Sequence, residues 1–398
     1  MAAMKPFSTR SLIVPHFTGL DAVRGCACMV VLLYHCLYAM PPAGLAPLLN
    51  SNWGYPIRLV TNGEAAVILF FWLSGYVLAL PFFRGPAPGY VSFLVKRFCR
   101  LYIPFAAVVG LATLAYHTVG VKPDLADINP MLNLQYERLT GVWLTGHFLV
   151  LGRSEDIDID TVVWTLVHEM RISLIFPLLV LLCRYRGLAI ALALVDLGIA
   201  HFLLIQQGAS EPWVVDRFST SMLWTMSFVP HFIGGILLCR SSDRIRSFLR
   251  GTSFGVRVAA LAAAVTLLVL PQSYMFFSLT LLYGLSAAVI MMLSFDLAFL
   301  NRLLDTRLLQ GLGRISYSIY LVHIPVLLVT GYVMAKNYSY TIVGAAAFAG
   351  SLVIAALFHR AVEQPAMKLG RKLASQSDLA MHSKNSRLRH PKSPKNLL

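Results

Sequence analysis

Long apolar blocks alternate with short polar joints along the whole chain. Blocks of spanning length, roughly 20 residues for a helix crossing a bilayer, occur at about 20–40, 63–83, 101–119, 162–183, 188–206, 221–239, 255–271, 273–295, 315–335 and 341–362. Each is read as one transmembrane helix. The pattern therefore predicts an all-α, polytopic membrane protein of about ten spans. The first block follows mixed sequence, runs to spanning length and lacks a small-residue cleavage site, so it reads as a span and not as a signal peptide. The stretch "LTGVWLTGHFLVL" at 139–151 is too short for a comfortable span and is read as re-entrant or interfacial. No internal repeat relates the two halves. Such repeats are common in secondary transporters, so their absence lowers that reading.

The joints set the topology. With the N-terminus in the cytoplasm, the inside segments are 1–19, 84–100, 184–187, 240–254, 296–314 and 363–398. They hold most of the Lys and Arg, as in "KRFCR", "RYR" and "RSSDRIRSFLR". The positive-inside rule then puts both termini in the cytoplasm. The outer loop before the fourth span carries the acidic run "RSEDIDID". Three regions follow: a cytoplasmic segment 1–19, a transmembrane domain 20–365, and a basic tail 366–398. The tail has eight Lys/Arg against one Asp and few large apolar residues. It is expected to be disordered and close to anionic lipid.

Composition agrees with the pattern. Hydrophobic residues make up 57% and charged residues 13%, with a mean hydropathy of +0.69; soluble domains carry about 25% charged residues. The net charge of +15 is concentrated in the tail and inner joints, which argues against nucleic acid as a partner. The six cysteines are scattered through the spans with no C-x-x-C pair. Neither a zinc site nor a disulfide framework is suggested, and no metal is expected.

Ionisable residues inside spans are costly and usually face a bundle interior or a wet cavity. The first span carries Asp21, Arg24, Cys28 and His35 on one stripe, with Arg24 and His35 about 16 Å apart along the axis. The fourth span, "TVVWTLVHEMRISLIFPLL", brings His168 and Glu169 to a similar depth from the opposite end. These three could meet in the outer half of the membrane, with a neutral imidazole as general base and a carboxylate to orient it. His323, in "SIYLVHIPVL", is mid-membrane. Arg97 and Arg100 share a face at i and i+3 and could clamp a phosphorylated ligand, with Arg24 at the same level. Asp196 and His201 read as structurally paired, and His359, Arg360 and Glu363 as snorkelling near the cytoplasmic end.

Taken in order, these motifs resemble the membrane acyltransferase-3 family, the type that O-acetylates surface polysaccharides and nodulation factors. The matching stretches are "GLDAVRGCACMVVLLYHC", "LFFWLSGYVLAL", "KRFCRLYIPF", "VVWTLVHEMRISLIFPLL", "LGRISYSIYLVHIPVL" and "VEQPAMKLGRK". The resemblance implies His35 as catalytic base, assisted by Glu169 or His168. It implies Arg24, Arg97 and Arg100 at the donor entrance, and Trp164, His323 and Ser74 on the substrate side. Two departures stand out. "MRISLIFP" replaces the common Phe-Tyr form after Glu169, and Ile68 occupies a place that is often acidic, with Glu64 one turn away. Members often carry a C-terminal hydrolase-like domain; the short basic tail resembles the stand-alone form.

The expected activity is O-acyl transfer from cytoplasmic acyl-CoA, most simply acetyl-CoA, to a hydroxyl of a glycan or lipid-linked sugar at the outer face. The resemblance implies a bacterial inner membrane and contact with membrane lipid. Two rivals stand beside it: a glycan or lipid transporter or flippase, and an acyltransferase for a non-glycan acceptor. Coupled thioester cleavage separates the first from transfer, and glycan mass spectrometry separates the second.

Overall fold

The computed structural model describes residues 18–42, 55–119, 160–209, 217–270 and 277–389, with a few isolated positions between. All secondary structure among them is helical. In chain order the helices are α1 Thr18–Ala39, α2 Tyr55–Thr61, α3 Gly63–Arg84, α4 Tyr90–Val119, α5 Val163–Leu182, α6 Arg186–Gln206, α7 Phe218–Gly251, α8 Phe254–Leu267, α9 Phe277–Asp296, α10 Ala298–Leu304, α11 Arg307–Met334 and α12 Tyr340–Phe358. A π-turn at His359–Glu363 then leads into α13 Gln364–Arg389. Among the described residues, nine helices are long and apolar enough to cross a membrane. The seventh expected span, 255–271, falls on α8, which has 14 residues and is the shorter apolar helix. Segments 1–17 and 139–147, with most of the acidic run, lie outside the described residues.

The helices form two groups. In one, α1 lies along α11, α11 along α12, and α4 along α13, around a core that includes Leu32, Phe105, Ile319 and Leu327. In the other, α3 and α6 pack on α7 around Phe71, Phe176, Trp224, Phe228 and Phe232. Small residues set the closest approaches, as is common where lipid removes the hydrophobic drive between helices. Gly75 of α3 faces Phe232, and Gly235 of α7 faces Trp72; a Cβ on either would collide with backbone. Trp72 Nε1 donates to His231 Nδ1 across the same crossing, at 3.3 Å.

Two readings change here. His359 and Glu363 do not snorkel; they are 7% and 2% exposed. Ser318 Oγ donates to Glu363 Oε2 at 2.6 Å, and His359 Nδ1 lies 2.8 Å from the same oxygen. The π-turn brings this carboxylate inward, where two partners offset its desolvation, while Arg360 stays exposed. The segment from Ala366, expected to be disordered, is helical as far as Arg389. Its small residues Ala366, Gly370 and Ala374 recur every four positions and are buried. Gly370 meets Cys99 and Lys96 of α4. A flat face of small residues lets α13 lie against α4 despite its low hydropathy.

Candidate active site

The seam between the two helix groups holds a partly open cavity of about 350 Å³. Helices α1, α3, α4, α5 and α11 line it. One end is cationic, with Arg24, Lys96, Arg97 and Arg100. The other end reaches Val163, Thr165 and Tyr320.

At the cationic end, Arg97 Nη2 lies 2.5 Å from Glu169 Oε1 and Arg97 Nε donates to Ser173 Oγ at 3.2 Å. Ser74 Oγ also donates to Glu169 Oε1, at 3.0 Å. Arg24 pairs with Asp21 at 2.9 Å and donates to Ser316 Oγ at 2.9 Å and to the Gly313 carbonyl at 2.8 Å. Arg100 and Lys96 make no hydrogen bond or ion pair among the described residues. Two of the four cations are thus engaged by protein, and two face the cavity uncompensated.

Toward the other end, α1 and α11 run side by side. Cys28 Sγ donates to the Ser316 carbonyl at 3.1 Å. Two turns further along α1, His35 meets His323: His323 Nε2 and His35 Nδ1 are 3.3 Å apart. His35 Nδ1 is 2.9 Å from the Val31 carbonyl and His323 Nδ1 is 3.1 Å from the Ile319 carbonyl. A carbonyl oxygen only accepts, so each Nδ1 carries a proton. His35 Nδ1–H is then shared between Val31 O and the lone pair on His323 Nε2. That leaves His35 Nε2 unprotonated on a half-buried ring, while His323 is 1% exposed. The arrangement holds one imidazole as a base and the other as its acceptor.

Tyr320 ties this pair to the cavity. Its ring centroid is 5.9 Å from that of His323. Its hydroxyl is 2.8 Å from Thr165 Oγ1 and donates to the Val162 carbonyl at 3.3 Å. Ser316, Tyr320 and His323 fall at i, i+4 and i+7, one face of α11. That spacing in "SYSIYLVH" is a signal from which Ser316 and Tyr320 could have been found.

The expected meeting of His35 with His168 and Glu169 does not occur. Successive helix residues point about 100° apart. Glu169 shares the cavity face of α5 with Thr165, whereas His168 faces α7. His168 Nδ1 lies 2.8 Å from Thr225 Oγ1, and the ring packs against Phe228 and Trp164. Arg171 joins that side, donating to Ser221 Oγ at 2.8 Å and to Thr225 Oγ1 at 3.0 Å. Trp164 is buried in the same aromatic group, against Phe228. Among the described residues no cluster of His, Cys, Asp or Glu could hold a metal ion.

Fold and site define a multi-pass helical membrane protein whose internal cavity runs from an arginine cluster toward a histidine pair. The chain belongs to the acyltransferase-3 family: the family model, described as an acyltransferase domain, matches residues 17–360. A Bacillus subtilis (strain 168) protein named "Putative peptidoglycan O-acetyltransferase YrhL" is 23% identical over 350 residues, 79% of this chain and 49% of that protein. The chain thus spans about half the length of that relative. No solved structure matches it.

Proposed function

We propose that the protein is an O-acyltransferase of a bacterial plasma membrane. It moves an acyl group, in the simplest case acetyl, from cytoplasmic acyl-CoA to a hydroxyl of a cell-surface glycan of the peptidoglycan type. The observation that carries this reading is the unpaired Arg100 and Lys96 in a cavity that leads toward a histidine base. Clustered cations without a protein partner suit an anionic ligand, and a phosphate-rich nucleotide thioester satisfies them. The Lys/Arg bias of the loops supports a cytoplasmic position for that end.

Arg100, Lys96 and Arg97 bind the nucleotide phosphates, and the apolar wall of Val67, Phe70, Phe71 and Leu166 takes the thioester arm. His35 Nε2 removes the proton of the acceptor hydroxyl. The hydroxyl oxygen forms a bond to the thioester carbonyl carbon, the C–S bond breaks, and the proton held by His35 neutralises the departing thiolate. His323 accepts from His35 Nδ1–H throughout and stabilises the imidazolium.

The test uses purified protein in nanodiscs with acetyl-CoA and a neutral N-acetylglucosamine oligosaccharide. Release of CoA thiol together with an O-acetyl ester, read by mass spectrometry, supports the reading; a transporter releases none. Arg97→Ala is expected to raise the acetyl-CoA KM and to destabilise the fold by about 1–3 kcal/mol, because the partly buried Glu169 loses its charged partner. Arg97→Ala combined with Glu169→Gln should recover much of the thermal stability but not the donor affinity. If the double variant recovers both, Arg97 is structural only.

A further inference from the structure

Asp160, at the start of α5, is a buried carboxylate that the proposed chemistry does not use. It is 0% exposed, and neither carboxylate oxygen has a hydrogen-bond partner. The Oγ1 of the adjacent, partly exposed Thr161 is buried and unpartnered as well. Burial pushes the Asp160 carboxyl well above the usual carboxylate range; the Val162 N–H opposes this without reaching hydrogen-bond geometry. Leaving such a group unsatisfied is costly. Native proteins rarely tolerate this without a reason such as a ligand.

Helix register locates the group. Tyr320 and Thr165 touch, and from that contact Ser316 and Glu169 both lie toward the arginines, so α11 and α5 run in opposite directions. From that contact, three residues along α11 lead to His323, about 4.5 Å along the axis. Back from Thr165, α5 reaches its first residue, Val163, which lines the cavity, and Asp160 lies three residues before that start, on the same side. The Asp160 carboxylate also acts electrostatically on the Tyr320 hydroxyl. Three unpartnered oxygens therefore sit on the histidine side of the Tyr320–Thr165 contact, away from the arginines.

We infer that Asp160, with Thr161, binds hydroxyl groups of the acceptor glycan and presents one of them toward His35. The inference rests on the proposed acyl transfer and deepens it. Sugar hydroxyls supply the donors these oxygens lack, and the neutral ring of a hexosamine suits a site where no cation pairs with Asp160 among the described residues. An anionic acceptor would be repelled. An ammonium would also pair with Asp160, so an amine acceptor is the alternative that the experiment must exclude.

The full chain in nanodiscs is titrated with N-acetylglucosamine trimer by saturation-transfer NMR, without donor, alongside acetyl-CoA binding and thermal melting. Asp160→Leu should weaken trimer binding at least about tenfold and leave acetyl-CoA binding unchanged. Its melting temperature should rise, since an apolar isostere removes an unsatisfied buried group. Asp160→Asn, which keeps an acceptor oxygen, should lose less binding. Unchanged trimer binding in Asp160→Leu overturns the inference, as does a wild type that does not bind the trimer. Failure of both variants to fold overturns it in favour of a helix-capping role. A small primary amine that binds in place of the trimer overturns it in favour of an amine acceptor. Asp160-dependent trimer binding without acetyl transfer removes the transfer reading and leaves the glycan site.

Discussion

Replacing His35 with alanine should lower acyl transfer by about 10²–10⁴-fold, the range a positioned general base supplies. The loss should fall on kcat with the acetyl-CoA affinity retained, because the ring lies toward the end of the cavity away from Arg97 and Arg100. Stability should change little: His35 is half-buried and gives up only a bond to its own helix and one to His323. The partner sharpens the test. His323→Ala removes the acceptor for His35 Nδ1–H, whereas His323→Gln supplies an amide oxygen for the same proton. His323→Gln should therefore retain more activity than His323→Ala at equal folding. Near-normal transfer by folded His35→Ala would sink the general-base role. Equal activity of the two His323 variants would remove the orienting role and leave the base intact.

The polar stripe of α1 shows how far sequence carries the site. Asp21, Arg24, Cys28 and His35 can be placed on one face by counting turns, because helix periodicity is local and α1 is regular. What the stripe meets is not local. It packs on α11, through Gly313, Ser316 and His323, some 290 residues away in sequence. Depth counting brought His168 and Glu169 to the level of His35. Depth alone does not fix which way a helix faces, and α5 turns His168 to α7 and Glu169 to Arg97. The same limit applies to Glu363. Its place near a span end suggested snorkelling, but the π-turn, which has no signature in hydropathy, carries it inward to Ser318. The arginines were legible because two expensive cations at i and i+3 are a charge pattern. The division of labour between them, Arg97 paired and Arg100 free to meet a ligand, depends on packing.

Gly313→Ala should have the second large effect, on fold and catalysis together. The α1–α11 interface is closed by two glycines at contact distance. A Cβ on Gly25 would lie 2.7 Å from Gly313 N, and one on Gly313 would collide with the Asp21 carbonyl oxygen. Backbone is the obstacle, so no side-chain rotation relieves it. The helices must separate, and overpacking of this kind costs about 1–3 kcal/mol. Separation also lengthens what the interface holds together, from the 2.9 Å Arg24–Ser316 bond to the 3.3 Å approach of His35 and His323. Transfer should fall at least about tenfold, since an ångström of misplacement at a reacting group can cost still more. Two glycines nearby serve as controls. A Cβ on Gly350 would meet Val326 at 3.5 Å, an ordinary contact, and one on Gly311 would meet nothing within 4 Å. Gly350→Ala and Gly311→Ala should keep both melting temperature and activity. If Gly313→Ala behaves as they do, the α1–α11 contact does not position the histidine pair. If it melts lower yet transfers normally, the contact supports the fold alone.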